Sequence, residues 1–373
     1  MKELQDIVAA FEKVKSSSTT AALATLVKAS GSTYRRPGAR MLMTSQGQMV
    51  GSLSGGCLEG DVFEQAQAVM TSGKPIVVQY DTMSDEDIIW GLGLGCNGIV
   101  QILIERLEQE SPFNPVTFLS ECLHHRQLGV LATVFHVEGQ VKAQVGTRLM
   151  LHPDGTLKSN IEDADLVAQI RDDAWKALND NRSTVKAYPL AAGKAEVFVE
   201  VIQPPVPLMI FGAGHDAVPL LRLAQVLGWY VTVVDNRQAD GTRSRFPSAD
   251  KVILTRPEGI SEAVPLDNRT MAVVMTHNYL HDLELVKTLL PSPVRYLGIL
   301  GPKSRTEKLF QDLQEQGITP TETQLQRLYS PVGLDIGADT PEEIALSIVA
   351  EIQAVLANHS GGSLRNKLGP IHD

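Results

Sequence analysis

The stretch from Leu208 to Ala224, LMIFGAGHDAVPLLRLA, decides the fold. Met209, Ile210 and Phe211 form a compact apolar run of the kind a buried strand needs. They lead directly into Gly212-Ala-Gly214-His-Asp-Ala217, and then into apolar positions at Ala217, Leu220, Leu221, Ala224 and Leu227. That last spacing, three or four residues apart, places the apolar side chains on one face of a helix. A Gly-x-Gly-x-x-Ala turn between a strand and a helix is the context in which a glycine fingerprint carries meaning. Gly212 permits the tight turn, Gly214 leaves room for a phosphate against the backbone, and Ala217 allows close packing of helix on strand. The helix start offers unpaired N–H groups and a positive dipole end to an anion. Pro219 is tolerated there, because the first turn has no intrahelical acceptors for its N–H groups.

A second strand, WYVTVVD, ends at Asp235, about twenty residues on, where a carboxylate would meet a ribose hydroxyl. The plainer alternative is a nucleotide-binding fold without a nucleotide, since fold alone does not establish a ligand. The rest of the C-terminal half alternates as a parallel sheet demands. KVILT, AVVMTH and VRYLGILG read as strands, and LHDLELVKTLL and KSRTEKLFQDLQEQG as helices. At residues 340–343, Thr340 is a cap, Pro341 takes the first helical position and Glu343 closes a capping box. His277 stands at the carboxyl end of its strand, where open α/β sheets place ligand contacts. His277 and His281 straddle that strand end and lack an evident third ligand, so no metal is assigned. Gly298-Ile-Leu-Gly301-Pro-Lys303-Ser-Arg305 is a further strand-to-helix turn carrying basic residues.

The chain has 373 residues, enough for two or three domains, with 43% hydrophobic and 20% charged residues. That is the composition of an ordinary globular protein. A net charge of −10 argues against nucleic acid or an anionic membrane as the main partner. The N-terminal MKELQDIVAAFEKVK is an amphipathic helix without a signal-peptide core. Three cysteines, Cys57, Cys96 and Cys122, form neither a C-x-x-C pair nor a zinc set. A reducing cytoplasm is the expected location.

In the N-terminal half, TTAALATLVKAS is an apolar strand leading into a loop that carries Arg35, Arg36 and Arg40. Such a cluster in an acidic chain is a candidate anion clamp, since guanidinium groups bind phosphate bidentately; a solvated turn is the alternative. Gly51-Ser-Leu-Ser54-Gly55-Gly56-Cys57-Leu-Glu59 then precedes the helix VFEQAQAVM. Successive backbone N–H groups at a glycine-rich helix entrance can converge on one anion, and a thiol there has a lowered pKa. A small buried cysteine is the competing reading for Cys57. Gly91, Gly93, Gly95 and Gly98 surround Cys96 in the same way, whereas Cys122 on FLSECLHHRQ reads as packing and His124 and His125 as a solvated helix face. From Val130 to Val201 a hairpin, a helix through Trp175 and a strand carry no catalytic constellation. Gln203-Pro-Pro-Val-Pro207 is a stiff linker. The expected fold class is α/β: an N-terminal mixed α+β domain (1–203), a Pro-rich linker (204–207), a C-terminal Rossmann-like parallel-sheet domain (208–358) and a polar tail (359–373).

Five segments carry a resemblance: GSTYRRPGARMLMTSQGQMVGSLSGGCLEGDV, FGAGHDAVPLLRLAQVLGWYVTVVDNR, VVMTHNYLHDLELV, LGILGPKSRTEKL and SPVGLDIGADTPEEIALSIVAEI. In this order they resemble the XdhC/CoxI family, accessory proteins in the maturation of molybdenum hydroxylases such as xanthine dehydrogenase. The resemblance covers the first hundred or so residues and nearly all the C-terminal half; the middle is looser. It implies a chaperone that binds molybdenum cofactor (molybdopterin or its dinucleotide), protects it during terminal sulfuration and delivers it to the apo molybdenum hydroxylase. A cysteine desulfurase is then a partner, a homodimer is expected, and the chain is a maturation factor more than a catalyst.

The expected cofactor contacts are Arg35, Arg36, Arg40, Ser54, Gly55, Gly56, Cys57 and Glu59, together with Gly212, Gly214, His215, Ala217, Asp235 and His277. Cys57 and Cys96 are candidates for a sulfur or metal contact. The alternative is an NAD(P)-dependent oxidoreductase on the same C-terminal fold, but no hydride-transfer set accompanies the fingerprint. A scaffold with vestigial glycine turns is the third reading.

Overall fold

A computed structural model describes residues 1–17, 19–56, 58–81, 98–236 and 240–368. The stiff proline-rich stretch marks a division: the chain forms two compact units, Glu3–Pro204 and Pro205–Asp373. Pro207 itself starts a strand, the position where a strand tolerates a residue without an N–H.

The first unit is one supersecondary pattern used twice. The first copy runs α1 (Lys2–Lys15), β1 (Ala21–Gly31), β2 (Arg40–Thr44), β3 (Met49–Gly51), α2 (Glu59–Ser72), β4 (Ile76–Asp81) and β5 (Gly98–Arg106). The second runs α3 (Pro115–His125), β6 (Gly129–Gly139), β7 (Arg148–Leu151), β8 (Leu157–Ser159), α4 (Ala164–Asp180), β9 (Thr184–Leu190) and β10 (Gly193–Ile202). Their sheets have the same antiparallel order, β3-β2-β1-β5-β4 and β8-β7-β6-β10-β9. Leu23-Ala24-Thr25 matches Leu131-Ala132-Thr133, Gly38 matches Gly146, Arg40 matches Arg148 and Gly47 matches Gly155, all at one constant offset.

Side-chain alternation along a strand explains the packing. Ala22, Ala24 and Leu26 of β1 face the core under α2, with Val62, Ala66 and Val69. Their counterparts Val130, Ala132 and Val134 face the core under α4, with Leu166, Ile170 and Ala174. The two sheets meet through Val27, Leu103, Phe135 and Phe198. Burying each of these contributes about 1.5–3 kcal/mol.

Two ion pairs cross between the copies in the same reciprocal way. Arg40 of β2 pairs with Glu200 of β10, and Arg148 of β7 pairs with Glu105 of β5. Each arginine also donates to a carbonyl two residues back, Gly38 O and Gly146 O.

In the second unit the order is β11 (Pro207–Phe211), α5 (Ala217–Val226), β12 (Tyr230–Asp235), α6 (Asp240–Arg245), β13 (Lys251–Leu254), α7 (Ile260–Ala263), β14 (Met271–Val274), α8 (Tyr279–Leu289), β15 (Tyr296–Ile299), α9 (Lys303–Glu315), α10 (Glu322–Gln326), β16 (Leu328–Tyr329) and α11 (Pro341–Ala357). All six strands are parallel, in the order β13-β12-β11-β14-β15-β16. Leu208 and Ile210 face α5 and α11, and Met209 and Phe211 face α8 and α9, which is why the run is apolar throughout. The strand order reverses between β11 and β14, so a crevice opens at their carboxyl ends. Thr340 caps α11 as read: its hydroxyl accepts from Glu343 N while the Glu343 carboxylate accepts from Thr340 N. Among the described residues no helix is long and apolar enough to cross a membrane.

Candidate functional site

The two N-terminal loops singled out in the sequence come together. Tyr34 lies over the second loop, so a Cβ on Gly55 would approach Tyr34 Cε1 to 3.0 Å. Gly98, where β5 begins, sits tightly against Ser30, Ser32 and Thr33. Residues 82–97, which precede it, fall outside the described residues, as do Cys57 and Cys96.

The internal repeat offers a control within one chain. The helix entrance between Leu53 and Val62, residues 54–61, is twice as long as its counterpart between Ile161 and Leu166, residues 162–165. Residues 82–97 join β4 to β5, whereas the second copy joins β9 to β10 through residues 191–192. The loop 32–39 has tyrosine and two arginines, and its equal-length counterpart 140–147 has neither residue type. All three elaborations belong to the first copy.

The three arginines do not form one clamp. Arg40 is 1% exposed, and its guanidinium is bound to Glu200, Nη1 to Oε1 at 2.8 Å. Arg148 fills the same place in the second copy, so the scaffold accounts for Arg40. Arg35 makes a bidentate pair with Glu3, both at 2.9 Å. Arg36 is the exposed one. Sequence alone does not separate these roles, because the acids that engage Arg35 and Arg40 are remote in the chain.

Glu59 is also placed otherwise than expected. It turns back on the loop and fills the anion site of that loop with its own carboxylate. Oε1 accepts from Ser52 Oγ, Leu53 N and Ser54 N, and Oε2 from Ser54 Oγ, Gly56 N and Leu58 N, at 2.6–3.1 Å. Gly55 N donates to Ser52 Oγ. Those amides are therefore engaged within the loop rather than left for a phosphate, and Glu59 sets the loop's shape.

Burial pushes the Glu59 pKa up, but the Ser54 and Leu53 hydrogen bonds outweigh it and hold the group at about 2. A folded-state pKa below the unfolded value of about 4.3 gives stability that is present above that value and lost as pH falls through about 2. Glu59→Gln should thus be less stable than wild type at pH 7, with the gap closing between pH 4 and pH 2. Denaturant unfolding at successive pH values measures it; a pH-independent gap contradicts the assignment.

Cys122 is packing, as read. It is fully buried with Phe118, Leu119 and Ile202, and burial followed by the charge of Glu121 pushes its thiol up to about 12. His124 and His125 are exposed on α3.

In the second unit the predicted residues gather at the switch point. Gly212 has φ 120 and its N–H donates to Val234 O at 2.8 Å. Ala217 is buried under the sheet and His215 is exposed. Asp235 is buried: Oδ1 accepts from Asn236 N at 2.8 Å and Oδ2 from Thr242 Oγ1 at 3.4 Å. Beside it a cavity of about 500 Å³ is lined by Gly212, Asp235, Asn236, Thr255 and Ile260. A second, of about 970 Å³, is lined by Asp216, His277, Gly301, Lys303 and Gly333.

His277 and His281 take different partners: His277 Nε2 meets Asp216 Oδ2 at 2.7 Å, and the His281 ring meets Asn236 Nδ2 at 3.2 Å. Asp216 is a site residue to which the sequence pattern alone assigns no role. The signal available there was an acid placed inside a turn read as an anion site.

The comparisons with known proteins agree with this division. A family model described as the XdhC Rossmann domain matches residues 208–352. A second, the XdhC and CoxI family, matches residues 15–81 and 122–189, one segment on each copy of the repeat. A relative from Bacillus subtilis, named as a probable subunit of xanthine dehydrogenase, is 37% identical over 89% of this chain and 92% of its own. The molybdenum cofactor insertion chaperone PaoD of Escherichia coli is 25% identical over 90% of this chain and 83% of its own. A crystal structure described as a xanthine dehydrogenase from Bacillus halodurans superposes with a TM-score of 0.76 at 31% identity, covering 96% of this chain and 98% of that one.

Proposed function

Because this chain belongs to the XdhC and CoxI family, we propose that it is a maturation chaperone for the molybdenum cofactor of a xanthine dehydrogenase-type hydroxylase. The observation that carries the reading is the one-sided elaboration of the repeat: Tyr34 lies over the Ser54–Gly56 loop, the exposed Arg36 follows it two residues on, and in the second copy the matching loop has neither residue type and the helix entrance is shorter. PaoD's name gives the cofactor and the insertion role for that relative, and the residues here fit such a group. Tyr34 is 63% exposed and offers a face for a planar pterin. The exposed Arg36 guanidinium suits a phosphate. Molybdenum cofactor supplies the redox chemistry of the hydroxylase that receives it; this chain's residues hold and shield it.

In this reading residues 1–203 handle the cofactor and are joined through 204–207 to the Rossmann part, 208–358, with 359–373 as the tail. The cofactor is protected during terminal sulfuration by a cysteine desulfurase and then passed to the apoenzyme. Cys57 and Cys96, in the segments unique to the first copy, are the candidate sulfur contacts. The chain acts as a homodimer in the cytoplasm.

Tyr34→Ala and Arg36→Ala should each weaken cofactor retention by about 1–3 kcal/mol, through lost stacking and a lost charge-assisted hydrogen bond. Lys142→Ala, on the matching loop of the second copy, should have no effect. Pterin fluorescence after acid oxidation, per folded chain, is the readout. Undiminished pterin in the folded double variant would make the loop a solvated turn.

A further inference from the structure

The glycine turn of the second unit is built to receive an anion, and the anion already there is its own. A Cβ on Gly214 would collide with Asp216 Oδ1 and come within 3.6 Å of His277 Cδ2. The room that the second glycine leaves is thus taken by the Asp216 carboxylate. Asp216 stands at the N-cap of α5, yet its side chain caps no backbone N–H. Pro219, in the first turn, has none to give. The carboxylate turns instead to His277, Oδ2 to Nε2 at 2.7 Å.

His277 reaches it from a left-handed backbone, φ 58, a conformation that side chains other than glycine pay for and that persists where the surroundings impose it. Among the described residues, two arginines near the turn already have partners: Arg245 Nη1 donates to Ala213 O of the turn itself at 2.5 Å, and Arg305 Nη2 to Asp282 Oδ2 at 2.5 Å. The side chain of Asp216 is 17% exposed and that of His277 61%, and both line the second cavity.

A nucleoside diphosphate laid along the switch point would seat its nucleoside beside Asp235 and carry its phosphates over Gly214. There it would meet a carboxylate at close range in a partly desolvated site, where like charges repel strongly. We propose that Asp216 is the specificity-determining residue of this turn: it closes the turn to diphosphates, including dinucleotides, and selects a ligand that brings a hydrogen-bond donor to it. His277 holds the carboxylate in place. The inference is independent of the cofactor reading given for the first unit.

Calorimetry on the full chain with ADP and with adenosine tests it. Wild type should bind ADP no better than adenosine. Asp216→Asn, which keeps the shape and removes the charge, should bind ADP at least tenfold more tightly than wild type, with adenosine unchanged. Asp216→Ala should behave alike, so a folding failure of one variant leaves the other. Wild type that binds ADP much more tightly than adenosine overturns the proposal without any variant. So does a folded variant whose ADP affinity stays level, falls, stays undetectable, or rises only as much as its adenosine affinity.

Discussion

Arg40→Ala and Arg148→Ala should each cost the first unit about 3–5 kcal/mol, the penalty for leaving a buried charge without its partner. Both arginines are at most 2% exposed, and Glu200 and Glu105 lie at 10% and 13% side-chain exposure. A surface ion pair is worth about 0–1 kcal/mol, so the magnitude distinguishes the two cases. Removing both partners is the companion experiment. Arg40→Met with Glu200→Leu deletes the charge and its counter-charge together, and should come much closer to wild type than either single change. Urea unfolding of the four proteins decides it. If Arg40→Ala costs under 1 kcal/mol, the pair does not hold the copies together. On the proposed function, the folded double variant should also retain cofactor, since Arg40 is engaged by the scaffold through Glu200.

The parts of the fold legible in the sequence are those fixed by local pattern. The apolar run Leu208–Phe211, the helical spacing behind it and the Thr340 capping box each depend on residues a few positions apart, and each stands as read. The duplication is written in the sequence too, in Leu23-Ala24-Thr25 and Arg40 against Leu131-Ala132-Thr133 and Arg148. It is hard to see there, because sheet register rather than identity carries most of it: Leu23 lies opposite Glu105 just as Leu131 lies opposite Glu200.

The site was legible only as loops. That Tyr34 rests on Gly55, that Arg40 serves Glu200, and that Asp216 answers to His277 are long-range facts. Local patterning places residues on faces; it does not say which charges meet. Glu59 shows the same limit at short range, since an acid beside a glycine turn reads equally as a ligand contact and as the loop's internal anion.

Gly212→Ala should strongly destabilise the second unit. A Cβ there would lie 2.5 Å from Met275 O, and that segment has no freedom to yield, because Met275 N donates to Phe211 O at 2.8 Å. The backbone angle of φ 120 adds strain for any residue with a side chain. Strain and overpacking together come to about 2–5 kcal/mol. Gly60→Ala is the control: it lies in α2 with open space around its Cβ position, so alanine's helix propensity makes it neutral or stabilising by up to about 1 kcal/mol. Thermal unfolding that ranks the two variants the other way would contradict the geometry of the turn.

The proposed function requires that this chain carry molybdenum cofactor. It is tested most directly by the pterin released on acid oxidation from the full-length protein, purified in parallel from cells that make the cofactor and from cells that cannot. Pterin fluorescence in proportion to protein is expected from the first preparation and none from the second, with the signal lost in the Tyr34→Ala, Arg36→Ala double variant. Folded wild-type protein from cofactor-making cells that releases no pterin would contradict it.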